Sequence, residues 1–210
     1  MNHPLLIATR NAHKTREITQ ILGDRFAVTD LTAHPDIPAT IESGSTFREN
    51  AELKAVEASL IFKGMVLSDD SGLEVDALGG APGVYSARYA GENANDAANR
   101  RRLLDELSRV DARGKARTAR FRCVMALAEQ GKVTGTFDGT VEGIIINQEK
   151  GAGGFGYDPL FVPEGLCETF AQLSEATKNG ISHRGRALEK VRAFLLGQEQ
   201  TGIESAKTAE

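Results

Sequence analysis

From Ala119 to Leu127 the residues Ala119, Phe121, Cys123, Met125 and Leu127 fall on every second position, with Arg120 and Arg122 between them. That period belongs to a strand with one buried and one wetted face. Gly131-Lys132 then turns the chain into a second long strand, Val133 to Ile146, so the middle of the sequence commits to an antiparallel pair. The period is different on either side of it. Leu5-Leu-Ile-Ala reads as a short buried strand, and Ile18, Ile21 and Leu22 at helical spacing predict a helix from Ala12 to Leu22. Phe26 to Leu31 reads as a strand, and the stretch to Gly44, with Pro35 and Pro38, as a loop. A long helix follows, Thr46 to Phe62, with Phe47, Ala51, Ala55, Ala58 and Phe62 on one face and Lys54 among its polar positions. Met65-Val-Leu-Ser is a buried strand, Asn93 to Leu107 a polar helix, Leu160-Phe-Val a short strand and Ser182 to Leu195 the closing helix. The class is therefore α/β with a mixed sheet.

The chain has 210 residues, 40% of them hydrophobic, enough to bury a core as one domain or two closely packed lobes. Residues 1–197 are read as that domain and 198–210, with almost no apolar content, as a flexible tail. The formal net charge of −4 argues against a partner held by phosphate neutralisation along a nucleic acid. The longest apolar run, Cys123 to Ala128, is far too short to span a bilayer. Met1-Asn-His-Pro carries no basic or long apolar leader, which leads to the expectation of a cytoplasmic protein without a membrane partner. Cys123 and Cys167 have no metal-ligand spacing and are read as free thiols.

Four windows could carry chemistry. Thr9-Arg-Asn-Ala-His-Lys14 sits where the first strand meets the first helix, and unsatisfied N–H groups there favour an anion such as phosphate. The same residues also suit a plain helix start capped by Asn11, with Lys14 in solvent. Ser68-Asp-Asp-Ser-Gly72 ends an apolar strand. Its adjacent carboxylates call for a cation, and hard oxygens select Mg²⁺, although neighbours on an extended chain point apart, so only one should ligate. An Asp-rich turn closed by Gly72 is the alternative. Glu42, ahead of the long helix, is a possible second carboxylate. Gly151-Ala-Gly-Gly-Phe-Gly-Tyr-Asp-Pro159 offers close backbone approach, with Phe155 and Tyr157 as faces for a nucleobase, or is simply a flexible loop. Lys178 and Ser182-His-Arg184 place two cations at a helix start, where phosphate or a purine carbonyl would fit. Arg100-Arg-Arg102 reads as a solvated helix face.

In this order, Thr-x-Asn-x-x-Lys, Asp-Asp-Ser-Gly-Leu-x-Val-Asp-x-Leu-Gly-Gly-x-Pro-Gly-x-Tyr-Ser-Ala-Arg, Gly-Gly-Phe-Gly-Tyr-Asp-Pro and Ser-His-Arg, the motifs resemble the inosine/xanthosine triphosphate pyrophosphatases, the RdgB-like house-cleaning enzymes. The resemblance runs from Leu5 to Leu196. It implies an elongated two-lobed fold with the active site in a central cleft, a homodimer, and Mg²⁺-dependent hydrolysis of ITP, dITP and XTP to monophosphate and pyrophosphate. It also implies residue roles. Thr9, Arg10, Asn11, Ala12, His13 and Lys14 would contact the triphosphate. Glu42 and Asp70 would hold the metal, and Asp70 would accept the proton of the attacking water. Ser71, Phe155, Gly156, Tyr157, Asp158, Lys178, His183 and Arg184 would be the other substrate contacts. Hydrogen-bonding chemistry adds that His183 and Arg184, at a helix start, are candidate donors toward O6 of a purine. Two positions depart from the family pattern: Arg10 stands where Gly is usual, and Ile41-Glu42 where many relatives have two acids. The Maf-like pyrophosphatases are a rival among enzymes. A nucleotide sensor without turnover is a rival outside them, and it would have no need of Asp69-Asp70 with Glu42.

Overall fold

The computed structural model describes residues 3–23 and 26–207. The chain forms β1 (His3–Ile7), α1 (Ala12–Leu22), β2 (Phe26–Asp30), α2 (Phe47–Ser59), β3 (Met65–Val75), α3 (Asp96–Arg109), β4 (Thr118–Glu129), β5 (Lys132–Ile145), β6 (Phe161–Pro163), α4 (Glu175–Ile181) and α5 (His183–Lys207). One six-stranded sheet runs β2-β1-β3-β4-β5-β6. β1 lies parallel to both its neighbours, and every pairing from β3 onward is antiparallel, so the sheet is mixed, with helices flanking it.

Local chemistry fixes the boundaries. Asn11 caps α1 by accepting from the His13 and Lys14 amides at 2.9 and 3.3 Å, and Gly23, at φ +68°, lets the chain leave it. Thr46 caps α2 through the Glu49 amide. The β4–β5 hairpin turns on Gln130 and Gly131, both at positive φ, a requirement of the tightest hairpin turn. α5 continues to Lys207, past Gln198 where the sequence predicts fraying. Residues 208–210 of that expected tail, like Met1-Asn2 of the opening segment, lie outside the described residues.

β3 is longer than the sequence suggests. It does not end in an Asp-rich turn at Ser68 but runs on to Val75, because β4 offers a partner at every step: Asp69 opposite Met125, Asp70 opposite Val124, Ser71 opposite Cys123. Gly72 is therefore a strand residue. A Cβ there would lie 2.4 Å from Ser86 Oγ and 2.5 Å from the Gly83 carbonyl, so glycine is needed to let the 83–88 turn approach.

This long ribbon carries two cores. One gathers Leu5, Ile18, Leu67, Met125, Leu188 and Val191 between the sheet, α1 and α5. The other gathers Leu73, Leu103, Leu107, Phe121, Phe161 and Phe170 under α3. Leu67 belongs to the first and Leu73 to the second, and the polar stretch Asp69–Ser71 lies between them on β3. On the opposite face α2 lies close to β4 because the contact is made of Ala51, Ala55, Ala126 and Ala128.

α5 meets β5 most closely at Gly139, where an added Cβ would fall 1.9 Å from the His183 carbonyl and 2.7 Å from the Ala187 nitrogen. Both are backbone atoms of a buried helix start and cannot swing aside. Gly139→Ala is expected to destabilise the protein by about 1–3 kcal/mol through overpacking, read as a lower urea midpoint. An unchanged midpoint would show that α5 is free to shift.

Candidate active site

Between the two cores lies a cleft of about 420 Å³. It brings together residues far apart in sequence: Thr9, Arg10, Asn11 and Lys14 from the β1–α1 turn, Glu42, Asp70 and Ser71, the 155–158 loop, and Lys178, His183 and Arg184 from α4 and α5. Of the residues expected at the site, Ala12 and His13 do not line it. Both are exposed on the first turn of α1, and the His13 ring stacks on Phe155 at 5.3 Å instead. Asn11 spends its side-chain oxygen on the cap, its own amide donates to Thr9 Oγ1 at 3.1 Å, and Arg10 donates to the Ile37 carbonyl at 2.8 Å.

Asp69 and Asp70 point to opposite faces of β3, as strand pleating requires, and they meet different partners. Asp70 accepts from Lys54 Nζ at 3.0 Å and from the Asn50 amide group at 3.3 Å. The same Nζ donates to Glu42 at 2.9 Å and to the Asp69 carbonyl at 2.8 Å, so one buried ammonium joins two carboxylates. Burial lifts the Asp70 carboxyl above the usual carboxylate range, against the pull of Lys54 and Lys14 and with some help from Glu42. Glu42 is also pushed up by partial burial, but Lys54, with Lys14 and Arg88 behind it, prevails and lowers its pKa. Lys54 is held protonated: burial would lower it, and Asp70, Asp69 and Glu42 outweigh that. Among the described residues no group of three or more His, Cys, Asp or Glu side chains forms a metal cage. Glu42 and Asp70 are the hard oxygen donors available, a set that suits an ion completing its shell with phosphate oxygens and water.

Asp69 faces the other way and begins a buried chain of alternating charges. It lies 3.0 Å from Lys14 Nζ and 3.1 Å from Arg184 Nη2. Arg184 also pairs with Glu17, Glu17 accepts from Lys178 Nζ at 2.8 Å, and Lys178 donates to Asp158 at 2.7 Å. Asp158 also accepts the Phe155 amide at 2.9 Å, which ties the glycine-rich loop to the chain's end. Ser71 Oγ joins as donor to Asp69 and acceptor from Arg184. Burial would raise the Asp69 carboxyl, but Lys14, Arg184 and Lys54 hold it far below the usual range. Burial dominates at Asp158, whose pKa is raised despite Lys178.

His183 stacks flat on Phe121, with ring centroids 4.8 Å apart. Burial, then the neighbouring Arg184 and Lys178, push its pKa well below that of an ordinary imidazole, so the ring is neutral. Among the described residues His183 Nδ1 and Arg184 Nε have no hydrogen-bond partner, although both are buried. Phe155 carries Lys178 Nζ over its ring at 4.9 Å. Tyr157 is not the free stacking face that the sequence suggests: its ring belongs to the second core and its hydroxyl donates to the Ser86 carbonyl at 2.9 Å. Sequence reasoning also missed Glu17, Asn50 and Lys54. Asn50 and Lys54 fall on the same helix face as Ala51, Ala55 and Ala58, and polar residues within an apolar stripe are the signal that could have found them.

The Ham1 family model matches residues 5–194. The dITP/XTP pyrophosphatase of Exiguobacterium sibiricum is 52% identical over 192 residues, 91% of this chain and 96% of that protein. The dITP/XTP pyrophosphatase of Geobacter sulfurreducens is 50% identical over the same shares of the two chains. Among solved structures, the Ham1 protein of Staphylococcus aureus superposes with a TM-score of 0.82 at 41% identity, covering 93% of this chain and 99% of that one. A HAM1 protein from Coxiella burnetii gives 0.83 at 38% identity, covering 94% and 100%.

The depressed pKa of Asp69 has a sign that can be tested. A carboxyl whose folded pKa lies below its unfolded value of about 3.9 contributes stability that is complete above that value and is lost as pH falls toward the folded one. Asp69→Asn leaves Lys14 and Arg184 without their shared carboxylate and is expected to cost about 3–5 kcal/mol at pH 7. The gap to the parent should narrow by about 1.4 kcal/mol per pH unit below pH 4 in urea titrations. A gap independent of pH would contradict this account.

Proposed function

The chain belongs to the Ham1 family, and from that premise we infer that it hydrolyses non-standard purine nucleoside triphosphates, dITP, ITP and XTP, to the monophosphate and pyrophosphate. The observation that carries this reading is one cleft holding two unlike ends. A carboxylate of raised pKa beside Lys54 and Glu42 stands among the groups for the chemistry, and a neutral His183 beside Arg184, each with an unused buried nitrogen, stands among the groups for the base.

Asp70 is the proton acceptor for the attacking water. Its raised pKa makes it a stronger base than an ordinary carboxylate, and the Asn50 and Lys54 hydrogen bonds fix its plane. Lys14, Lys54 and Lys178 supply fixed positive charge as negative charge builds on the phosphate oxygens. Glu42 and Asp70 would hold Mg²⁺, which when bound neutralises phosphate charge and polarises the phosphorus. The same reading includes a homodimer, which the family resemblance implies. Phe155 offers a ring to any purine, so choice among purines falls to hydrogen bonds. Hypoxanthine and xanthine present O6 as an acceptor to the Arg184 Nε–H, whereas adenine presents a donor there and leaves both groups unpaired.

Asp70→Asn is expected to lower kcat for ITP by about 10²–10⁴-fold while nucleotide binding persists, since the amide keeps the shape but cannot take the proton. The parent should release pyrophosphate first. Orthophosphate as the primary product, or near-normal kcat in the variant, would overturn the mechanism.

The parent is also expected to hydrolyse ITP and XTP far faster than ATP. Arg184→Ala would strand Asp69 and Glu17 in the interior, so the informative change is Arg184→Lys, which keeps the charge between them and removes the Nε donor. A lost charged hydrogen bond of about 1.5–3 kcal/mol should cut the ITP-over-ATP ratio of kcat/KM by about tenfold or more. An unchanged ratio would move base recognition away from Arg184.

A further inference from the structure

The expectation that Arg100 faces solvent fails, and the way it fails is informative. Asp96 and Arg100 stand one turn apart at the start of α3 and hold the two consecutive peptide groups that flank Gly156. The Gly156 amide donates to Asp96 Oδ2 at 2.7 Å, and Arg100 Nη1 donates to the Gly156 carbonyl at 2.8 Å. Arg100 Nε also lies 2.9 Å from Glu149 Oε1, at the near end of the same loop. The Arg100 side chain is only 15% exposed. α3 itself is anchored, with Leu103 and Leu107 fully buried in the second core, Asn95 capping its first turn, and Asn99 bonding the Ala87 carbonyl and the Ala90 amide. Gly156 has φ +60°, a left-handed conformation that glycine adopts without steric cost, so its two hydrogen bonds to α3 are made without backbone strain.

The neighbouring residue is Phe155. Its amide is fixed by Asp158 on one side, and the following residue is fixed by the α3 pair on the other. With both flanking peptide groups pinned, the Cα–Cβ direction of Phe155, from which its ring projects, is fixed by the backbone. We propose that Asp96 and Arg100 are positioning residues that clip Gly156 to α3 and so hold Phe155 as a rigid platform for the purine base. The inference rests on the proposed hydrolysis of purine nucleoside triphosphates and extends it to two residues on a helix that carries none of the expected contacts. The bonds of the clip reach only the glycine-rich loop, and they meet the rest of the cleft through the Phe155 ring, on which His13 stacks at 5.3 Å. The triphosphate end is built by the β1–α1 turn, Glu42, Lys54 and Asp70, none of which α3 touches through a hydrogen bond or ion pair among the described residues.

Inorganic tripolyphosphate, which has no base, separates the clip from a general structural role. Asp96→Ala and Arg100→Met are expected to raise KM for ITP by about tenfold with kcat within about threefold, and to leave inhibition by tripolyphosphate within about twofold of the parent. Asp96→Asn keeps an oxygen to accept the Gly156 amide and should restore the parent KM. Should Asp96→Ala not fold, Arg100→Met carries the same comparison. Equal weakening of ITP and tripolyphosphate, an Asp96→Asn variant as impaired as Asp96→Ala, or an unchanged KM in Arg100→Met would each overturn the clip. Absence of ITP turnover in the parent would overturn the functional reading and the base platform with it, whereas turnover in the parent with unaffected variants removes the clip alone.

Discussion

Asp69 is buried in the middle of the sheet, where a lone carboxylate would be very costly to keep ionised. It stays charged because Lys14 and Arg184 flank it, and Arg184 can be buried only because Glu17 takes its other side. Glu17 in turn needs Lys178, and Lys178 needs Asp158. No link is affordable alone, since removing one partner leaves an uncompensated charge in the interior. The chain of pairs therefore acts as a unit, and it joins α1, β3, α4, α5 and the glycine-rich loop, the elements that wall the cleft. The two hydrophobic cores supply most of the burial, but they lie to either side. What fixes the distance between the walls is this line of charges.

The strand pleat divides the work between the adjacent acids. Asp69 and Asp70 share a peptide bond, yet one is depressed by Lys14, Arg184 and Lys54 and the other is raised by burial. A group with a strongly lowered pKa is a poor base and a good anchor, and one with a raised pKa is the reverse. Placing both on a central strand, paired residue by residue with β4, means that neither can turn toward the other's partners. Asp69 is thereby kept as an anchor, and Asp70 is left as the member of the pair better able to take up a proton.

The fold was legible where side-chain period alone decides. The bounds of α1, its Asn11 cap and the β4–β5 hairpin follow from spacing and turn chemistry. The continuation of β3 through Asp69–Ser71 was not legible, because polarity there resembles a turn until the partner strand is known. The motif residues were found by their positions in recognisable windows, and the geometry gathers most of them into one cleft. Lys54, Glu17 and Arg100 were missed for a common reason. Each is a long charged side chain on a helix, the commonest kind of solvated residue, and each is made internal by a partner more than ten positions away in sequence. Tyr157 errs in the opposite direction: it lies within a motif, but its ring is spent on packing.

The charge balance of the cleft bears on how a nucleotide could enter it. Lys14, Lys54, Arg88, Lys178 and Arg184 are each within ion-pair distance of a carboxylate, and those carboxylates are Glu17, Glu42, Asp69, Asp70 and Asp158. Five cations thus meet five acids before any substrate arrives, and Arg10 and Asp96, which also line the cleft, add one charge of each sign. A nucleoside triphosphate adds about four negative charges, and in a partly desolvated cleft that excess is strongly unfavourable. Releasing cations from their partners would not help, because each release exposes an acid of the same sign as the substrate. That imbalance is the electrostatic demand that a nucleotide makes on the cleft. Glu42 and Asp70, the two carboxylates that share the single Lys54 ammonium, lie apart from the buried chain of charges on the other face of the strand.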